Sequence, residues 1–194
     1  MLACVVGLGN PTPAHAGSRH NVGYAVLDAV AVAHGVRWRR YWWRAYWLAR
    51  QRQGDLLLCK PATFMNRSGA AVTQLYRRHA LAPAQLLVVY DDMDLPLGAL
   101  RVRAAGSAGG HKGMQSVLTA LGTEQVPRLR LGIGPGSGDP IAHVLGRFTP
   151  EEQPRADRMI TTAARAVTLL LTAPWNTAVQ RIHSWPSAQR DDDM

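Results

Sequence analysis

Short apolar runs alternate with amphipathic stretches along this chain, the order expected of an α/β domain. Val5-Val6-Gly7-Leu8 ends an apolar run that breaks at Gly9-Asn10-Pro11, which predicts a strand entering a loop. From Asn21, placed as an N-cap, Val22, Ala25, Val26, Ala29, Val30 and Ala33 share one helical face, with Gly35 as a stop. Trp43, Ala45, Trp47 and Ala49 alternate with Arg44, Tyr46, Leu48 and Arg50. Gln53-Gly54-Asp55 then turns the chain into Leu56-Leu57-Leu58-Cys59, so residues 38–60 read as a hairpin. Ser68 is placed to cap a helix through Val72, Leu75 and Tyr76. Leu86-Leu87-Val88-Val89-Tyr90 is apolar throughout, the mark of a buried parallel strand, and it ends at Asp91-Asp92-Met93-Asp94.

Farther on, Gly106-Ser107-Ala108-Gly109-Gly110 leads into a helix carrying Met114, Val117, Leu118 and Leu121 and stopped by Gly122. Leu129, Leu131 and Ile133 alternate with Arg128, Arg130 and Gly132 as a further strand. Thr149-Pro150-Glu151-Glu152 is a capping box opening a helix through Ile160, Ala164, Val167 and Leu171. There is no internal repeat and no dividing linker, and Arg190 to Met194 read as a frayed tail. One α/β domain is the expectation.

Composition narrows the class. With 194 residues, 47% apolar and 18% charged, the chain is too apolar for disorder, and no apolar run approaches the roughly 20 residues of a membrane span. Cys4 and Cys59 each sit in an apolar run and read as buried free thiols. Together with an N-terminus that lacks a basic or Arg/Ser-rich leader, they predict a cytoplasmic protein. The formal net charge of +9 favours a polyanionic partner. Aromatic and Arg residues interleave from Trp38 to Arg52. They either stack on bases or, more simply, form a strand with one face on the core and an Arg-rich outer face.

Ligands of open α/β sheets bind beyond the carboxyl ends of the strands, where this reading places Asn10 and Asp91. His20 lies in the loop that follows the first strand. An Asp beside a His can hold the imidazole in one tautomer and leave its other nitrogen as a base toward water. The Asp91–Asp94 cluster alternatively suggests Mg²⁺ and phosphoryl chemistry. Gly7 to Thr12 lacks the third Gly of a dinucleotide fingerprint, and Gly109-Gly110-His111-Lys112-Gly113 is not a true phosphate loop, although its N–H groups and cation can face an anion at a helix start. No paired Cys-x-x-Cys or His-Glu-x-x-His motif is present.

Several segments, in order and spacing, resemble the bacterial-type peptidyl-tRNA hydrolase family. They are Val6-Gly7-Leu8-Gly9-Asn10-Pro11, Arg19-His20-Asn21-Val22-Gly23, Lys60 to Gly69, Tyr90 to Pro96, Gly106 to Gly113, Arg128 to Gly134, and Val144 to Phe148. The resemblance covers residues 2–183. It implies a single domain over 1–183 with a mixed, mostly parallel twisted sheet flanked by helices, and a flexible tail over 184–194. It also implies a monomer that uses no metal or organic cofactor, acts at no membrane, and hydrolyses the ester at the 3′ end of peptidyl-tRNA while holding the acceptor stem. By motif, His20 is the general base, Asp91 supports it, and Asn10 reads the peptide side of the ester. Asn66 orients the substrate or stabilises the oxyanion, and Phe64 packs on the peptide or terminal nucleotide unless it is a core aromatic. Arg103 and Arg130 grip the 5′ phosphate, and His15, His111 and Lys112 contact substrate. Lys112 stands where many members have Asn, His15 where Tyr is common, and Thr12 where Gly is common. A related RNA-binding protein without activity is the alternative in the same fold, and retention of Asn10, His20, Asn66 and Asp91 speaks against it.

Overall fold

The central apolar runs are covered on both sides, which is why they lack a polar alternation. The computed structural model describes residues 2–51 and 56–185. Its strands are β1 (Cys4–Gly7), β2 (Arg39–Arg40), β3 (Tyr46–Arg50), β4 (Leu57–Pro61), β5 (Leu86–Asp92), β6 (Leu100–Arg103) and β7 (Arg128–Gly132). They form one seven-stranded sheet in the order β2-β3-β4-β1-β5-β7-β6. The sheet is mixed: β4, β1, β5 and β7 run parallel, and antiparallel pairing appears at both edges.

Val5, Leu58, Leu87, Val89, Leu129 and Leu131 face a layer formed by α1 (Val22–Ala33), α5 (Gln153–Thr172) and α6 (Trp175–Ser184). Cys4, Val6, Cys59, Val88 and Tyr90 face α2 (Ser68–Arg78) and α3 (Lys112–Leu121). Both cysteines are buried free thiols, and burial raises the pKa of each. A short helix, α4 (Pro140–Leu145), follows β7. No helix among the described residues is long and apolar enough to cross a membrane.

Several local expectations change. Val22, Val26 and Val30 are buried in α1 as predicted, but Leu27 and Ala31 complete the face and Ala33 is exposed, because α1 packs against α5 as well as against the sheet. Ser68 is the first residue of α2 rather than its cap, and its hydroxyl donates to the Met65 carbonyl at 2.8 Å. Arg128 is buried, not on a polar strand face. Its guanidinium donates to the carbonyls of Ser107, Glu124 and Val126 and so pins the Gly106–Gly110 loop. The reciprocal bonds of the box at Thr149 form, Glu152 accepting from the Thr149 N–H and Thr149 Oγ1 from the Glu152 N–H, but they close a turn ahead of the helix, which begins at Gln153 rather than at Pro150. Gly122 ends α3 in the left-handed region at φ 68°. The predicted turn at Gln53–Asp55 and the tail beyond Trp185 lie outside the described residues, whereas Ser184 closes α6.

Candidate active site

The parallel strands β1, β4 and β5 end on the same side of the sheet, and their loops enclose a cleft of about 740 Å³. Asn10, His15, His20, Phe64, Asn66 and Asp91 line it, joined by His111 and Lys112 at the start of α3. Close backbone packing makes this possible. A Cβ on Gly23, in the first turn of α1, would lie 2.5 Å from the carbonyl oxygens of Leu8 and Val89, so only glycine lets that turn rest on β1 and β5 and carry His20 to the strand ends.

Asp91 is buried and holds two histidines. His20 Nδ1 lies 2.9 and 3.0 Å from its two carboxylate oxygens, and His111 Nε2 lies 3.0 Å from Oδ1. His111 caps α3, its Nδ1 accepting from the Met114 N–H at 3.0 Å. Because Nδ1 of His111 accepts, its proton sits on Nε2 and is donated to Asp91. Nδ1–H of His20 donates to the same carboxylate, and Nε2 of His20 keeps a lone pair with no hydrogen-bond partner among the described residues. Burial pushes the Asp91 carboxyl up, but the bonds and field of His111 and His20 outweigh it and hold it well below the ordinary carboxylate range. At neutral pH an ionised carboxylate therefore stands behind His20.

Asn10 is buried and locked in place. Asn21, expected as the α1 cap, makes no cap bond; its side chain instead pairs with the Asn10 backbone, accepting from N–H at 2.8 Å and donating to C=O at 3.0 Å. Asn10 Oδ1 accepts from the Met65 N–H at 2.8 Å. With its oxygen committed, Asn10 has its NH₂ left as the donor toward the cleft. Phe64 is 56% exposed, which removes the core reading and leaves a free aromatic face at the cleft. Opposite stand Ile141 and Leu145 of α4, both exposed and apolar. Buried Arg19 ties α4 to the His20 turn. It donates to the Arg147 carbonyl, pairs with Glu152, and stacks over Phe148 at 5.1 Å.

Arg103 and Arg130 do not line the cleft. Arg130 is paired with Asp92, while Arg103 is exposed on the edge strand β6. The Asp91–Asp94 run is not a shared metal cradle as built: Asp91 serves the histidines, and Asp92 takes Arg130 together with the Asp94 N–H. Ligand atoms of His20, Asp91 and His111 lie within 4.8 Å of one another, a spacing open to a divalent ion only if the His–Asp bonds give way. Lys112 is exposed, with no ion pair among the described residues. Thr12 and His15 are coupled by a hydrogen bond between Thr12 Oγ1 and His15 Nδ1. The sequence marked His111 as a substrate contact, and its service to Asp91 emerges only from the hydrogen bonds. Neither α4 nor the lock made by Asn21 was anticipated.

The sequence profile of the family described as peptidyl-tRNA hydrolase matches residues 4–191. The chain belongs to the peptidyl-tRNA hydrolase family. Within it, the Synechocystis sp. protein of that name is 49% identical over 170 residues, covering 84% of this chain and 86% of the relative. The Mycobacterium tuberculosis peptidyl-tRNA hydrolase is 40% identical over 185 residues, covering 93% and 97%. The crystal structure of the Acinetobacter baumannii peptidyl-tRNA hydrolase superposes with a TM-score of 0.90 at 29% identity, covering 96% of both chains. The α/β fold expected of this peptidyl-tRNA hydrolase family member, a mixed sheet flanked by helices, is the one observed.

Proposed function

We propose that the chain hydrolyses the ester between a peptide and the 3′ end of tRNA, as a monomer without metal or organic cofactor, using His20 as general base. The reading rests on its family and, for the mechanism, on one observation: His20 presents an unbonded Nε2 at the cleft while its Nδ1 is held by ionised Asp91. Nε2 removes a proton from water as the oxygen attacks the ester carbonyl carbon. The carbonyl π electrons move to oxygen, and the Asn10 NH₂ and the exposed amide of Asn66 offer hydrogen bonds to that oxyanion and to the neighbouring peptide group. On collapse the C–O bond to the tRNA 3′ end breaks, and His20 returns the proton to the leaving oxygen. Asp91 stays ionised throughout and stabilises the imidazolium.

Phe64, Ile141 and Leu145 supply apolar walls for the terminal adenosine or the first peptide residues. His15, His111 and Lys112 border the same space, with Lys112 free to meet a phosphate. Arg103 and Arg130, outside the cleft, are assigned to the 5′ phosphate of the acceptor stem. The test compares tRNA release from N-acetylated and unblocked aminoacyl-tRNA by the wild type and His20→Ala in EDTA. Hydrolysis of the blocked substrate alone, lost in the variant, is the expected outcome. Tight tRNA binding without hydrolysis would instead mark an inactive RNA-binding protein, and activity surviving in His20→Ala would remove His20 as base.

A further inference from the structure

The positive charge of this protein is not spread evenly. Residues 29–90 contain ten Lys and Arg residues and, among the acids, only Asp55, so this stretch alone carries the whole formal excess of +9 and the remainder of the chain balances. The fold gathers much of it at the β2–β3 edge of the sheet, far from Arg103 and Arg130. On the face covered by α2, Arg37, Arg39, Arg44, Arg50 and Arg78 line a groove of about 730 Å³ with Tyr41 beside them, and no described carboxylate lines it. None of these arginines has an ion pair among the described residues. Arg44 Nε and His79 Nε2, both at this groove, are buried without a hydrogen-bond partner among the described residues. Burial, and after it the charges of Arg44, Arg50 and Arg78, lower the pKa of His79.

Aromatic surface adjoins this charge. Trp42 is 87% exposed and Trp43 52%, their rings edge to face at 5.3 Å, and Arg44 stacks over Tyr41 at 4.1 Å. Trp43, Arg44 and Arg78 also line a neighbouring depression against α2, so the aromatic and cationic surfaces are continuous. Unpaired guanidiniums match phosphate oxygens, and exposed indoles match the faces of unpaired bases, which a duplex conceals. We infer that this groove is a second RNA-binding site, taking a single-stranded segment and separate from the strand-end cleft. β3 and β7 are four strand spacings apart, or roughly 19 Å. An RNA strand in the groove thus occupies a different edge of the molecule from an acceptor stem held by Arg103 and Arg130.

The test is fluorescence anisotropy with a labelled single-stranded RNA of mixed sequence, about 12 nucleotides long. The wild type binds it, with an affinity that falls steeply between about 50 and 200 mM salt. Combining Arg39→Glu, Arg50→Glu and Arg78→Glu, all at exposed positions, weakens binding at least about tenfold and flattens the log–log salt slope by about two. The Trp42→Ala/Trp43→Ala protein loses about tenfold with its slope unchanged, as lost stacking requires. Arg103→Ala/Arg130→Ala keeps the oligonucleotide affinity. Thermal melts monitor folding, and the Trp pair carries the test if the charge-reversed protein melts early. Wild-type affinity in the folded variants overturns the assignment, as does capture of phosphatidylserine vesicles with no RNA binding, which would make the groove a membrane contact.

Discussion

Replacing Asp91 by Asn preserves the size of the side chain but not its hydrogen-bonding logic. In the native site Oδ1 accepts from both His20 Nδ1 and His111 Nε2, and Oδ2 also lies 3.0 Å from His20 Nδ1. An amide has a single acceptor oxygen. If that oxygen takes the shared Oδ1 position, its NH₂ points a donor at the proton on His20 Nδ1; if reversed, both histidines lose their acceptor. Loss of one charge-assisted bond, about 1.5–3 kcal/mol, lowers kcat/KM by about 10- to 150-fold. Conversion of His20 to the tautomer protonated at Nε2 takes the loss toward about 10⁴-fold. The assay is release of tRNA from N-acetyl-aminoacyl-tRNA, with KM separated from kcat, since a supporting group behind the base acts on kcat. Acid stability offers a second readout. The folded pKa of Asp91 is depressed, so its contribution is complete above its unfolded value of about 3.9 and fades as pH falls toward the folded one. The Asn variant lacks that component, so its stability deficit narrows on acidification. A kcat within about threefold of wild type would mean that Asp91 does not support the base, because the structure leaves no other carboxylate bonded to His20 among the described residues.

Asp92→Asn frees Arg130 from its ion pair, and tRNA affinity measured by filter binding should rise, with a salt slope steeper by up to about 0.9; an unchanged slope would place Arg130 away from phosphate. Gly23→Ala drives a Cβ against two backbone carbonyls, and urea unfolding should show a loss of about 2 kcal/mol or more together with weakened hydrolysis. Phe64→Ala, at an exposed position, should leave the melting temperature unchanged and raise KM for peptidyl-tRNA. Hydrolysis should continue in EDTA once tRNA folding is secured by a monovalent salt, and its loss there would redirect attention to a divalent ion at His20, Asp91 and His111.

Long-range pairing decided which parts of this molecule could be read from its sequence. The apolar runs at Val5 and Leu86 marked the strands that carry Asn10 and Asp91, and the helix start and stop around Met114 and Gly122 held because those signals are local. His20 and Asp91 could be paired because ligands gather where parallel strands end. The role of His111 was hidden because it depends on a ring nitrogen being occupied by the Met114 N–H, a geometry that no residue pattern encodes. Asn21 has the chemistry of a cap, but tertiary contact turned its amide toward Asn10 instead. Arg128 and Arg130 look alike in an alternating strand, yet one is buried among carbonyls and the other paired with Asp92. At six residues, α4 is too short to show a helical period. In the Trp38–Arg52 segment the expected division into one core face and one Arg-rich outer face does not hold: Ala49 and Tyr46 point to opposite faces of β3 and both are buried, while Arg39, Arg40, Arg50 and Trp42 are exposed.

The account turns on where the protons of two imidazoles reside, and nitrogen-15 NMR of the histidine rings reads this directly at a pH where both are neutral. His20 should carry its proton on Nδ1 with Nε2 bare, and His111 should carry its own on Nε2 with Nδ1 accepting. Finding His20 protonated at Nε2 in the free enzyme would contradict the account, since the nitrogen facing the cleft would then have no lone pair to take a proton from water.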